Sequence, residues 1–530
     1  MPEQQLQPNM DNYLVSANGR LGNPPQSAVG EVARILTLAA QKAPENGLVL
    51  HFHGGLVDRE YALNNIAAPL TAVYGSANAY PLFFIWESGF KEAIWNNKGD
   101  LVKDPAFREL VKKVSEWVLK KVSVTGAFGF KGANGQQLSD TDKFREEFDR
   151  WFANQRSEPP SETTDVVVTP ATATKAKSRV DDLDELAGQI KDGFDDDKGF
   201  TDAMAQAYNA SIPADQVATK GAGAGKKRAD VLMLSSDALD EMFPPQPGTD
   251  VSGGQVKTRG LFNWMGVAKF VAKIVLAVVK RFMANRDHGV YPTVVEEVLR
   301  AAYGDLFGAA IWNQMKKDTL DSFADDPSTC GLAVVKGLKA LETESKDFKK
   351  LTLVGHSTGA IYICNFLDMA KKVGLTTPIQ VVFLAPALTC ERFAQAIDAH
   401  GEGGLQNFRM FAMKDEREIE DEMLKPLYTR SLLYFVSGLL EGEAVDGGWK
   451  AVLDMPLVGM QRFHEHAPVF GNDPSVKKVL DFLNDKPRRK VWSQTLDGGP
   501  GMNSDAAHHG DFDNDNPTLD SVVDIIKGKG

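Results

Sequence analysis

Apolar and polar positions along the chain switch between two periods, and the switches mark out the elements. GLVLHF at 47–52, YPLFFIWES at 80–88, LTLVG at 351–355, IQVVFLAPA at 379–387, FRMFAM at 408–413 and RKVWSQT at 489–495 are short apolar runs bounded by glycine, proline or polar clusters. Runs of that length and composition predict buried strands. Between them, EVARILTLAAQKA at 31–43, YALNNIAAPLTAVYG at 61–75, AIYICNFLDMAKK at 360–372 and TLDSVVDIIK at 518–527 repeat apolar residues every three or four positions. That is the spacing of helices with one buried face. Strands alternating with such helices predict an α/β fold, a mostly parallel sheet with helices on both faces.

Between 90 and 345 the alternation stops. DPAFRELVKKVSEWVLKKV at 104–122 and PTVVEEVLRAAYGDLFGAAIWNQMKKD at 292–318 carry helical periodicity, so a large, mainly helical insertion is expected between a first core part at 1–89 and a second at 346–530. Near 156–228 the chain is rich in Pro, Thr, Ala, Gly and Lys without a period, which predicts a flexible linker. The longest apolar stretch, 261–282, is broken by Lys269 and Lys273 and falls short of a comfortable membrane span. At about 100° per residue, Lys269, Lys273 and Lys280 gather on one side and Trp264, Val267, Val271, Ile274 and Val278 on the other. A cap helix packed on the core is the first expectation, and transient contact with a membrane or lipid surface through 261–282 the alternative.

A length of 530 residues suits a core plus an insertion better than one compact unit. The net charge of -12 offers no general footprint for nucleic acid, so no such partner is expected. Cys330, Cys364 and Cys390 are too few for a disulfide framework, and the first residues show neither a basic start nor an apolar run. A cytoplasmic location is the expectation that follows.

The run at 351–355 ends in Gly355-His356-Ser357-Thr358-Gly359 and passes directly into helical periodicity. A serine hydroxyl is a weak nucleophile, and a tight turn flanked by glycines lifts it clear of the backbone toward a base and a substrate. Attack on a carbonyl builds negative charge on oxygen, which preorganised backbone N–H groups stabilise. His53-Gly54-Gly55, at the end of an earlier strand, suits that task because glycine lets the main chain approach closely. The plainer reading is that Gly54 and Gly55 make a loop against which His53 packs.

These segments resemble the serine esterases and lipases of the α/β-hydrolase superfamily, over roughly 45–90 and 350–520. The matching features are the HGG segment, the GHSTG elbow, an acid after a later strand and a histidine before the final helix, in that order. The resemblance implies an α/β-hydrolase fold with a large, mainly helical cap. It also selects among nine histidines: the base should follow RKVWSQT, where AAHHGDFDND carries His508 and His509. His509 is preferred because Gly510 and Phe512 could fix a bend, with His464 and His466 in reserve. Asp415, opening the loop after FRMFAM, would orient the imidazole, ahead of Glu416, Glu418 and Asp421 in the same acidic run. By the resemblance Ser357 would be the nucleophile, His509 the base, Asp415 the orienting acid, and Gly54 and Thr358 the oxyanion donors, with Gly55 and His53 completing that segment.

The resulting expectation is a serine hydrolase that cleaves a small-molecule or lipid-like carboxylic ester through an acyl-enzyme, without metal or organic cofactor. Alternatives are an acyltransferase or thioesterase using the same triad, a catalytically silent scaffold of the same fold, and a metal-dependent hydrolase using His51 and His53. KGAGAGKK at 220–227 misses the phosphate-loop pattern at two positions. Asp511, Asp513 and Asp515 alternate like a calcium loop, but Asn516 stands where glycine is required. Asp287-His288-Gly289 inside the insertion could belong to a second site, though a helix-start cap by Asp287 or a packed histidine is the more ordinary reading.

Overall fold

The computed structural model describes residues 11–42, 44–87, 99–124, 183–211, 233–244, 263–304, 309–344 and 348–530, the last apart from 402, 423, 425–426, 446–447, 452–453, 466–469 and 471. The described strands are β1 (Tyr13–Ala17), β2 (Leu48–Phe52), β3 (Tyr80–Glu87), β4 (Leu351–His356), β5 (Ile379–Leu384), β6 (Asn407–Ala412), β7 (Gly442–Val445), β8 (Gly448–Ala451) and β9 (Lys490–Trp492). Seven of them form one parallel sheet in the order β1-β3-β2-β4-β5-β6-β9, and β7 and β8 pair as a separate hairpin.

The sheet is covered on both sides, which is why its strands read as nearly unbroken apolar runs. Leu48, Leu50 and Phe52 of β2, with Leu351 and Leu353 of β4, join the larger core. Helices Val29–Lys42, Cys330–Thr343, Gly359–Val373, Cys390–His400 and Pro474–Asp485 supply the rest of that layer. Val49 and Val354 join the opposite core with Ala68–Ser76 and the final helix Asn516–Ile526. Helix Cys330–Thr343, expected within the insertion, packs on Val29–Lys42 and Gly359–Val373 and so belongs to the layer on the sheet.

Inside the span expected as linker lie two helices, Leu183–Asp192 and Lys198–Ser211. Leu186, Ala187 and Ile190 of the first and Phe200, Ala203, Met204 and Ala207 of the second are buried at helical spacing. The rest of 156–228, including KGAGAGKK, lies outside the described residues.

Helix Trp264–Met283 is the spine of the insertion. Val267, Val271, Ile274 and Val278 are buried as the pattern predicts, against helices Pro105–Val124, Leu183–Asp192, Ser236–Met242 and Val290–Ala302. The expected lysine face turns outward, with Lys269 2.7 Å from Asp184 and Lys273 paired with Glu241. The apolar stripe of Trp264–Met283 is therefore packed within the insertion. Among the described residues no helix is long and apolar enough to cross a membrane.

A buried ionic network joins the insertion to the core. His288 Nδ1 lies 2.7 Å from Glu296 Oε1 and its Nε2 2.9 Å from Asp454 Oδ1. The ring thus bridges a carboxylate of the insertion and one of the core. Arg281 pairs with Glu296 at 2.5 Å and Arg462 with Asp454 at 3.0 Å. Burial opposes the charge on Glu296, but Arg281 and His288 outweigh it and hold the carboxyl at about 2. Asp454 is likewise held below the ordinary carboxylate range. His288 is thus a packed histidine, as its local sequence suggests.

Candidate active site

β4 runs into Ser357, whose φ of 54° lies in the left-handed region, and the next helix begins at Gly359. That conformation costs a non-glycine residue on the order of 1–3 kcal/mol and persists only where its surroundings impose it. Here the Ser357 N–H donates to Leu384 O at 2.8 Å and the Ala387 N–H donates to Ser357 O at 3.1 Å. A Cβ on Gly355 would come within 2.7 Å of the Gly359 backbone, and one on Gly359 would overlap the Phe52 carbonyl. The two glycines of the elbow are steric requirements, because the new helix starts hard against the end of β2.

That contact brings the HGG segment to the serine. A Cβ on Gly54 would lie 3.3 Å from Ser357 Cβ, and one on Gly55 would overlap Met315 and approach Thr358 Oγ1 at 3.1 Å. Thr358 immediately precedes the helix, where the first N–H groups have no intrahelical acceptor. His53 braces this segment. The Trp86 N–H donates to its Nε2 at 3.2 Å, so the proton sits on Nδ1, which donates to Gly54 O at 2.7 Å. Its ring stacks on Trp86, and burial pushes its pKa down to about 4.

Ser357, Gly54 and Gly55 line a cavity of about 370 Å³ together with His356, His509, Asp421 and Asp513. Leu56, Val57, Tyr61, Ile66 and Leu432 supply its apolar lining. Of the adjacent pair, His508 is exposed and His509 is buried, so His509 is the one that lines the cavity shared with Ser357. Asp511 folds the loop that carries it, its Oδ2 accepting the N–H groups of Ala507 at 3.1 Å and His508 at 2.8 Å. The main chain of His509 is then held at both ends. Its N–H donates to Asp421 Oδ2 at 2.8 Å, and its carbonyl accepts from His356 Nε2 at 2.9 Å. Among the described residues neither ring nitrogen of His509 makes a hydrogen bond, including to Ser357. Burial, reinforced by His356, pushes its pKa well below the usual histidine value, so the ring is neutral.

The structure does not bring Asp415 to this ring. Its Oδ1 accepts the Tyr434 hydroxyl at 2.8 Å, its N–H donates to Gln461 at 2.8 Å, and it does not line the cavity. The carboxylates at the site are Asp421 and Asp513. Asp513 Oδ2 stands 3.6 Å from His356 Nδ1, an ion-pair separation rather than a hydrogen bond. Burial opposes charge on both partners, yet each outweighs it for the other: Asp513 is held below the ordinary carboxylate range and His356 above the ordinary histidine value. Sequence reasoning ranked Asp421 behind Asp415 and gave Asp513 and His356 no part in the site. Asp421 stood within an acidic run, Asp513 within calcium-loop spacing, and His356 only as a letter of the elbow motif.

The alternating aspartates divide their work: Asp511 folds the loop, Asp513 faces His356, and Asp515 caps the final helix through the Thr518 N–H at 2.9 Å. His51 Nδ1 meets the Tyr74 hydroxyl at 2.9 Å while both nitrogens of His53 are engaged, so the pair does not offer two free lone pairs to one ion. Among the described residues no group of three His, Cys, Asp or Glu side chains could hold a metal. His464 meets Val458 O at 2.9 Å, away from the cavity lining, and His466 lies outside the described residues. Compared with known protein families, curated proteins and solved structures, the chain finds no match in any of the three.

Proposed function

We propose that the protein is a serine hydrolase with an α/β-hydrolase core, cleaving carboxylic esters through an acyl-enzyme. One observation carries this reading: Ser357, held at φ 54°, shares a cavity with Gly54, Gly55 and an unbonded, buried imidazole. Ser357 Oγ attacks the ester carbonyl as His509 takes its proton. Main-chain N–H groups at Gly54 and Thr358 receive the oxyanion. The intermediate expels the alcohol with the proton from His509, and water activated by the same ring releases the acid. The apolar wall of Leu56, Val57, Ile66 and Leu432 supports a hydrocarbon-rich acyl or alcohol group. Helix Ala309–Asp321 of the insertion sets Met315 against Gly55, in keeping with a cap over the site.

Labelling with a fluorophosphonate probe tests the reading: modification is expected at Ser357 and lost in Ser357→Ala. Rates with nitrophenyl esters from acetate to palmitate then define the acyl group, and transfer to an added alcohol or thiol would mark an acyltransferase or thioesterase. A catalytically silent binding protein is the second reading, favoured by the absence of a carboxylate bonded to the His509 ring among the described residues. It predicts no labelling.

A further inference from the structure

The ring of His356 stands between the nucleophile's turn and the loop of the base. It is the last residue of β4, next to Ser357, and its Nε2 donates to the His509 carbonyl at 2.9 Å. The two rings are 5.3 Å apart. The charged and titratable groups facing it are Asp513, Asp511 and His509 of the terminal loop, with His51 and His53 at the end of β2. A carbonyl only accepts, so Nε2 carries a proton in every state of this contact. Nδ1 then decides the charge. Protonated, it faces the Asp513 carboxylate 3.6 Å away as a counter-ion; deprotonated, it would turn a lone pair toward a negative oxygen.

Resting on the reading of Ser357 as nucleophile and His509 as base, we propose that His356, charged and paired with Asp513, is the positioning residue for that base. Two actions follow from one ring. Its N–H fixes the His509 carbonyl while Asp421 fixes the N–H of the same residue, which orients an imidazole that has no carboxylate bonded to its ring. Its positive charge, a ring's width away, disfavours a second imidazolium and keeps His509 unprotonated and ready to accept the serine proton.

The two actions separate by substitution. His356→Gln keeps an N–H donor and removes the charge, whereas His356→Leu removes both. The readout is the rate of fluorophosphonate labelling at Ser357 against pH, with far-UV circular dichroism confirming the fold of each variant. His356→Gln should label on its plateau within about threefold of wild type, while its acid limb moves up by about one pH unit. His356→Leu should fall by about tenfold or more on the plateau, and Asp513→Asn should move the limb in the direction of the glutamine variant. An unmoved limb in His356→Gln overturns the proposal, as does a fully active, folded His356→Leu. If His356→Leu does not fold, the limb of His356→Gln still decides. A wild-type protein that does not label at all defeats the hydrolase reading itself, and the positioning role with it.

Discussion

Replacing Glu296 by glutamine keeps the outline of a fully buried side chain and removes the charge at the centre of the junction between insertion and core. The carboxylate receives His288 Nδ1 at 2.7 Å, Arg281 at 2.5 Å and the Tyr428 hydroxyl. The Arg281 contact is a buried ion pair, and a hydrogen bond to a charged acceptor such as that from His288 is worth roughly 1.5–3 kcal/mol. An amide accepts through one oxygen only and turns its NH2 toward a cationic donor, leaving positive charge uncompensated in the interior. The expected loss is about 3–5 kcal/mol. Glu296 is held at about 2 against an ordinary 4.5, so its contribution is present above pH 4.5 and disappears as the pH falls toward 2. Urea denaturation followed by tryptophan fluorescence should show the lowered midpoint at pH 7 and a flatter acid dependence between pH 4.5 and 2. Adding Arg281→Met to the variant should recover part of the loss, because the orphaned cation is gone. A Glu296→Gln protein within about 1 kcal/mol of wild type at pH 7 would refute the argument.

Other consequences follow from the same contacts. Gly359→Ala sets a methyl group into the Phe52 carbonyl and should cost about 3 kcal/mol or more, read as a fall in thermal midpoint or as failure to accumulate folded protein. Gly54→Ala, with 3.3 Å to Ser357 Cβ, should fold and label about tenfold more slowly. Burial lowers His51 to about 3 and His53 to about 4, so the stability they contribute is complete above pH 6.5 and is lost as the pH falls through those values. Each should add a slope of up to about 1.4 kcal/mol per pH unit below pH 6, and His51→Phe should flatten it. Asp415→Asn should leave labelling within about threefold of wild type, whereas Asp421→Asn, which weakens the hold on the His509 N–H, should slow it about tenfold. The opposite order would restore Asp415 to the role first expected of it.

The strands β2 to β6 were legible because a parallel sheet buried on both faces leaves almost no choice of residue between turns. β1, five residues reading YLVSA, carries too short an apolar run to stand out from its polar neighbours, and its place is set by pairing with β3. The helices Leu183–Asp192 and Lys198–Ser211 were hidden because the surrounding composition resembles linker, while their small periodic apolar faces matter only once Trp264–Met283 packs on the first and Pro105–Val124 on the second. At the site, the elbow and the HGG segment could be read because their glycines answer a steric demand that is local in sequence. The acid could not. Chain order points to Asp415, but Tyr434 lies close enough to take its carboxylate. Asp513 and Asp454 reach histidines 157 and 166 residues away in the chain, which follows only from tertiary packing.

The most direct measurement is fluorophosphonate labelling of the folded chain, with the modified residue located by peptide mass spectrometry and Ser357→Ala and His509→Asn run beside it. The account predicts one adduct, on Ser357, absent from the alanine variant and slowed by about a hundredfold or more in the asparagine variant. An adduct elsewhere, or labelling of Ser357 that is indifferent to His509, would contradict it.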